Sequence, residues 1–167
     1  IKENNLLSKN KLRETDIKKL AEVIKSSGYN NQKARKIKEF IKFIDSGKEI
    51  DRTNLLDVWG IGKETADSIL LYACREPIFV IDAYTKRIMN RIGYKEERYD
   101  ELQELFMKNL PKDHKLFNEF HALLVELGKN ICKKEPLCEE CPLNYKCNYF
   151  KNKSLAKSDK WNLLFFT

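Results

Sequence analysis

Apolar residues recur at three- and four-residue spacings along nearly the whole chain, and nowhere sustain a two-residue alternation. That periodicity suits helices with one buried stripe and excludes a core built from half-buried strands. Ile17, Leu20, Ala21 and Ile24 stand at i, i+3, i+4 and i+7, with Thr15 or Asp16 placed to start the helix and Gly28 to end it. Ala34, Ile37, Ile41 and Ile44 form a second stripe that ends near Gly47, and Leu55 and Leu56 belong to a short third helix. After Gly62 a fourth turns Ala66, Ile69, Leu70 and Ala73 inward, and Cys74 in the same apolar stretch reads as a small core residue. Pro77 breaks the pattern, and Ile78 to Ile81 reads as a short extended connector. A helix from Ala83 to Arg91 ends near Gly93; Leu102, Leu105 and Phe106 mark the next. Phe117, Phe120, Leu124 and Leu127 mark a long one ending near Gly128. The expected fold class is all-α.

The 167 residues suffice for one domain or two small ones. Thirty-two basic against 25 acidic side chains give a net charge of +7, which favours an anionic partner. No apolar run approaches the roughly 20 residues that cross a membrane, and Ile1 to Asn5 does not read as a secretion leader, so the expected location is the cytoplasm.

Two local patterns carry chemistry. The first is Leu55-Leu56-Asp57-Val58-Trp59-Gly60-Ile61-Gly62-Lys63-Glu64-Thr65-Ala66, a short helix, a Gly-Ile-Gly turn and a longer helix. The glycines allow a tight turn, and Ile61 can plug the gap between the helices. Free N–H groups at the start of the second helix then face outward, where the helix dipole also favours an anion. The arrangement can hold a phosphate backbone without reading sequence. The second is Cys132, Cys138, Cys141 and Cys147, with gaps of five, two and five residues. Four thiolates so close suit a tetrahedral zinc or a [4Fe–4S] cluster, and without a secretion signal a metal site is favoured over disulfides.

The hairpin resembles the helix-hairpin-helix of the endonuclease III superfamily of DNA glycosylases. The resemblance continues in register through Pro77, Val80-Ile81-Asp82 and Tyr84-Thr85-Lys86-Arg87-Ile88, and covers about residues 15 to 148. Trp-Gly-Ile-Gly and Asp-Ala-Tyr-Thr look closest to the endonuclease III-related subgroup that includes bacterial 3-methyladenine glycosylases. Gly60, Ile61, Gly62, Lys63, Thr65, Lys86 and Arg87 are the DNA-binding candidates. The resemblance makes Asp82 the catalytic carboxylate, which stabilises the oxocarbenium-like sugar or activates a water; from pattern alone it is an N-cap, and the two roles are compatible. It also favours an iron–sulfur cluster over zinc, although the family's first cysteine gap is one residue longer. Lys129, Lys133, Lys134 and Lys146 would rim the cluster loop, or be solvated surface.

The sequence departs from the family at Glu64. Bifunctional members carry there the lysine whose amine forms a Schiff base with the sugar and leads to strand cleavage. A carboxylate cannot do so, and Lys63 points roughly 100° away around the helix. The expectation is therefore a monofunctional enzyme that acts on double-stranded DNA containing a damaged base, with an alkylated purine as candidate and Glu64 helping to select it. The alternatives are a bifunctional glycosylase/AP lyase and a non-catalytic DNA-binding module of the same fold. Trp59 stands where the family hairpin usually has proline and is read as packing, with contact to the DNA as the alternative; Tyr84 is read as packing or as lining a base pocket; His121 is read as a packed or hydrogen-bonded helix residue rather than a catalyst. The expected organisation is a helical body over residues 15–93, a cluster-bearing part over 94–150 and a tail over 151–167 that turns apolar at Trp161-Asn162-Leu163-Leu164-Phe165-Phe166. The first residue is not Met, and the family's first helices and gap-filling Gln segment have no counterpart in Ile1 to Glu14. The chain is thus expected to be the C-terminal part of a longer protein, monomeric when full length.

Overall fold

The computed structural model describes residues 1–95 and 98–153. The apolar tail at Trp161 to Phe166 lies outside the described residues. Among them there is no strand, and the all-α expectation holds. The helices are α1 (Lys9–Glu14), α2 (Ile17–Val23), α3 (Asn30–Asp45), α4 (Arg52–Leu56), α5 (Lys63–Ile69), α6 (Ala83–Ile92), α7 (Tyr99–Asn109) and α8 (His114–Asn130). Residues 148–153 are also helical. No helix among the described residues is long and apolar enough to cross a membrane. The chain divides into two compact units, residues 1–66 and residues from 67 on.

In the first unit the side chain of Asp16 starts α2 by accepting the N–H groups of Lys18 and Lys19 at 2.8 and 3.3 Å, which satisfies two donors that have no helical partner. Leu20, Ala21, Ile24 and Ala34 form the core, with Leu12 of α1 and Ile37 of α3 packed at its edge. Ile17, the first residue of the expected stripe, is exposed: it sits in the opening turn, ahead of the face that meets α3. Arg13 of α1 grips Asp45 at the end of α3 through two bonds, Nε–Oδ2 at 2.6 Å and Nη2–Oδ1 at 2.5 Å. Lys9 adds a contact at 3.2 Å. The Arg13 guanidinium, helped by Lys9 against partial desolvation, holds the Asp45 carboxyl at about 2.

In the second unit the connector after Pro77 forms the centre of the core rather than a surface link. Phe79, Val80 and Ile81 are at most 1% exposed. Phe79 stacks on Phe106 of α7 with ring centroids 4.0 Å apart, and takes Phe117 of α8 edge-on at 5.4 Å. An extended segment buried this deeply must find partners for its backbone. Gln103 donates to the Phe79 carbonyl at 2.7 Å, and the Ile81 N–H reaches the Tyr99 hydroxyl at 3.4 Å. Gln103 and the Tyr99 hydroxyl also both donate at 2.7 Å to Asp67, a fully buried carboxylate. Side chains of α7 thus replace the neighbouring strand that this segment lacks.

Two expectations need correction here. Cys74 and Ala73 are exposed, not core. After Ile69 the helix widens into a π turn over Leu70–Cys74, and the extra residue per turn rotates both off the buried stripe. Gly128 does not end α8, which runs on to Asn130. It is buried, and a Cβ there would lie 2.7 Å from Tyr84 Cβ, so it is the point at which α8 approaches α6.

Candidate active site and cluster loop

The hairpin forms as α4, a turn and α5. Ile61 is buried, as a plug between two helices requires. The two glycines differ. Gly60 adopts φ +84°, a left-handed conformation that side chains resist, and a Cβ on it would come within 2.6 Å of Lys36 Cγ. Gly62 has no such φ, and a Cβ on it would meet nothing within 4 Å. Among the described residues nothing therefore requires Gly62 to lack a side chain. Lys63, Glu64 and Thr65 are exposed on the opening turn of α5. Trp59 is half exposed rather than packed into the core, and the Arg35 guanidinium lies over its ring, 3.8 Å from the centroid.

Asp82 is the N-cap of α6. Its Oδ1 accepts the Thr85 N–H at 2.7 Å, so the carboxylate is fixed by the helix it starts. Only 9% of the residue is exposed. Its Oδ2 lies 3.7 Å from His121 Nε2 of α8, and His121 Nδ1 pairs with the Tyr72 hydroxyl. Burial pushes the His121 imidazole below its ordinary value, with Asp82 opposing; burial also pushes the Tyr72 phenol up, and here Asp82 adds to the effect. Both groups are therefore neutral near pH 7. His121 and Tyr72 are the residues that the sequence reading did not connect to Asp82.

The end of α8 leads into the four cysteines. Cys138 opens a single 3-10 turn that Cys141 closes, its N–H bonding the Cys138 carbonyl at 3.2 Å. Cys147 closes a second such turn, Asn144–Lys146, bonding Asn144 at 3.1 Å. All four cysteines line one small hollow walled by Ile131, Pro136 and Phe150. Burial pushes the Cys138 thiol up; Lys153 opposes this, while Cys147, Cys132 and Cys141 add to it, so all three lie within electrostatic reach. Among the described residues no set of three or more His, Cys, Asp or Glu side chains closes to the spacing of a bound metal ion. The donor set and its apolar wall fit a group that prefers soft sulfur ligands.

Two arginines of α6 hold this loop. Arg87 donates from Nε to the Cys132 carbonyl and from Nη2 to the Gly128 carbonyl, both at 2.8 Å, which ties α6 to the end of α8. Its guanidinium lies 5.2 Å from the Tyr84 ring centroid, and Tyr84 in turn packs against Gly128. Arg91 donates from Nη1 to Cys132 Sγ at 3.2 Å and to the Lys133 carbonyl at 2.6 Å, and from Nη2 to the Lys134 carbonyl at 3.0 Å. The basic pattern of α6 carried no sign of these partners. Lys86 is partly buried, with Nζ 6.0 Å from the Tyr99 ring centroid. Lys129, Lys133, Lys134 and Lys146 are exposed.

Comparison with known proteins fits this architecture. A model of the HhH-GPD superfamily of base excision DNA repair proteins matches residues 2–112. A Methanocaldococcus jannaschii protein that carries the provisional name DNA repair glycosylase is 44% identical over 162 residues, 88% of this chain and 74% of its own. Endonuclease III of Thermotoga maritima is 34% identical over 140 residues, 80% of this chain and 65% of its own length. Among solved structures, the H. pylori 3-methyladenine DNA glycosylase bound to 1,N6-ethenoadenine superposes with a TM-score of 0.69 at 31% identity, over 77% of this chain and 73% of that one. The chain belongs to the HhH-GPD superfamily of base excision DNA repair proteins, among its endonuclease III-like DNA glycosylases.

Proposed function

We propose that the chain is a monofunctional DNA N-glycosylase that hydrolyses the bond between deoxyribose and a damaged base flipped out of duplex DNA, an alkylated purine being the favoured substrate. The observation that carries this reading is Asp82, a nearly buried carboxylate locked to the start of α6 by the Thr85 N–H. Breaking the glycosidic bond leaves positive charge on the sugar. A carboxylate fixed beside it stabilises that charge or takes a proton from the attacking water. The exposed start of α5 with Gly60, Ile61 and Gly62 supports a backbone clamp on the DNA phosphates, with Lys63, Thr65 and Lys86 as further candidates for DNA contact, while Arg87 is engaged by the carbonyls of Gly128 and Cys132. Base flipping gives the reaction centre access to an atom hidden in the stack.

Glu64 supports the monofunctional reading, because a carboxylate replaces the amine that lyase chemistry needs. A carboxylate in that position also favours a cationic purine, which is already a good leaving group. Cys132, Cys138, Cys141 and Cys147 are proposed to hold a [4Fe–4S] cluster, which when bound supplies a structural clasp for the loop. The Asp82→Asn variant, assayed on duplexes carrying alkylated, oxidised, deaminated or mismatched bases, tests the reading. Base release by the parent that is lost in the variant, with no borohydride-trapped protein–DNA adduct, is the expected result. Trapping would move the enzyme to the bifunctional class, and release unaffected by Asp82→Asn would refute the role of this carboxylate.

A further inference from the structure

The Asp82 carboxylate has one oxygen held and one facing a histidine. Oδ1 takes the Thr85 N–H, while Oδ2 stands 3.7 Å from His121 Nε2. The histidine is 7% exposed, and Nε2 is buried with no hydrogen-bond partner at this distance. A buried donor left in this way is costly unless an acceptor moves in. The facing carboxylate favours one tautomer: a neutral ring with its single proton on Nε2 sets a donor towards Asp82 Oδ2 and leaves Nδ1 to accept the hydroxyl of Tyr72 from the π turn, whereas the other tautomer would turn a lone pair towards Oδ2. That N–H faces Asp82 Oδ2. Hydrogen bonds of this kind are often long in a free enzyme and tighten when the reaction complex forms.

We propose that His121, its Nδ1 held by Tyr72, is a positioning residue for Asp82: its Nε2–H takes hold of Oδ2 and aims the carboxylate at the reacting sugar. The π turn gains a purpose in this arrangement, since it bears the tyrosine that reaches the α8 ring. The inference rests on the reading of Asp82 as the carboxylate of the reaction.

Two amide replacements separate positioning from packing. Glutamine can present its amide N–H near the place of Nε2, whereas asparagine reaches only to the place of Nδ1. Single-turnover release is measured on whichever of four duplexes the parent enzyme cleaves fastest, carrying 7-methylguanine, 5-hydroxycytosine, uracil or a G·T mismatch. Affinity for the same duplex is measured alongside. His121→Asn is expected to slow the step about 10- to 100-fold at unchanged affinity, the scale of a misplaced reacting group, and His121→Gln to recover most of the loss. Equal rates for the two variants, or a parental rate for His121→Asn, would overturn the inference. Should His121→Asn fail to fold, Tyr72→Phe decides. Tyr72 is half exposed, so losing its hydroxyl opens no core; slower release at unchanged affinity supports the inference and a parental rate refutes it. An inert Asp82→Asn beside a fully active His121→Asn defeats only this inference, whereas an active Asp82→Asn, or no release by the parent from any duplex, defeats the reading beneath it.

Discussion

Gly60 and Gly62 occupy one turn but answer to different constraints, and substituting alanine at each should separate folding from binding. At Gly60 the backbone sits at φ +84°. A residue with a Cβ held in the left-handed region costs about 1–2 kcal/mol. The nearest obstacle, Lys36 Cγ at 2.6 Å, belongs to an exposed and flexible side chain that can swing away, so it adds little. Gly60→Ala should therefore destabilise the protein by about 1–2 kcal/mol. At Gly62 there is no positive φ, and among the described residues beyond its chain neighbours no atom lies within 4 Å of the added Cβ. Alanine there should leave stability unchanged or raise it by about 0.4–1 kcal/mol through the unfolded chain. Its methyl group nevertheless stands on the outer side of the turn, where a phosphate would meet the amides at the start of α5. Losing one charge-assisted hydrogen bond of about 1.5–3 kcal/mol weakens binding roughly 10- to 100-fold. Fluorescence anisotropy with several undamaged duplexes at one salt concentration, beside denaturant unfolding, gives both numbers. The loss should be similar for every sequence, because phosphate contacts carry no base information. A folded Gly62→Ala protein that binds all duplexes as the parent does would refute the clamp.

Four other outcomes are expected. Anaerobically purified protein should be brown and contain iron and sulfide; a colourless protein with one stoichiometric zinc would show the cysteines serving a different metal. Glu64→Gln should lower release of alkylated purines more than of neutral lesions, and equal losses would remove Glu64 from substrate choice. Gly128→Ala should destabilise the protein by about 1–3 kcal/mol as an overpacked helix contact, measured by denaturant unfolding, because its Cβ would press on Tyr84 rather than on solvent. The Asp45 carboxyl, held at about 2, contributes stability that is complete above its ordinary 3.8 and lost as pH falls towards 2; in Arg13→Ala its carbon-13 titration should move up towards 3.8, and a midpoint that stayed near 2 would show that Arg13 is not the cause.

Most of the helices were legible because a buried stripe must repeat with the helical period whatever it packs against. Leu20, Ala21 and Ile24, or Leu102 and Phe106, show their inward face without knowledge of a partner. The errors arise where that period is broken or where a residue answers to a distant neighbour. The π turn over Leu70–Cys74 inserts one residue into the register, and hydrophobicity at Ala73 and Cys74 does not reveal it. Gly128 looked like a stop because glycine often ends a helix, while here Tyr84, forty-four positions earlier, fixes it. The connector after Pro77 looked minor because it is short. Its burial depends on Gln103 and Tyr99 supplying hydrogen bonds from another helix.

The candidate site divides along the same line. The Gly-Ile-Gly turn and the four cysteines are patterns within short stretches of sequence; the local pattern of Asp82 gives only an N-cap, and its catalytic reading comes from the family resemblance. What surrounds them is not local. Asp82 meets His121 across thirty-nine residues, His121 meets Tyr72 across forty-nine, and Arg91 meets Cys132 across forty-one. His121 lies on a helix face whose other members, Phe117 and Leu124, are plain core, so its position in the sequence argues for a packed or hydrogen-bonded helix residue and not for a tie to Asp82. Only its orphaned Nε2, aimed at a capped carboxylate, separates it from them. The arginines of α6 make the same point from the opposite side. On the sequence Lys86 and Arg87 formed one basic pair fit for phosphate, yet the structure gives Arg87 two carbonyls at the end of α8. Charge along a helix shows that a cation is present; whether it faces solvent or closes a fold is decided by the carbonyls that the next helix leaves unpaired.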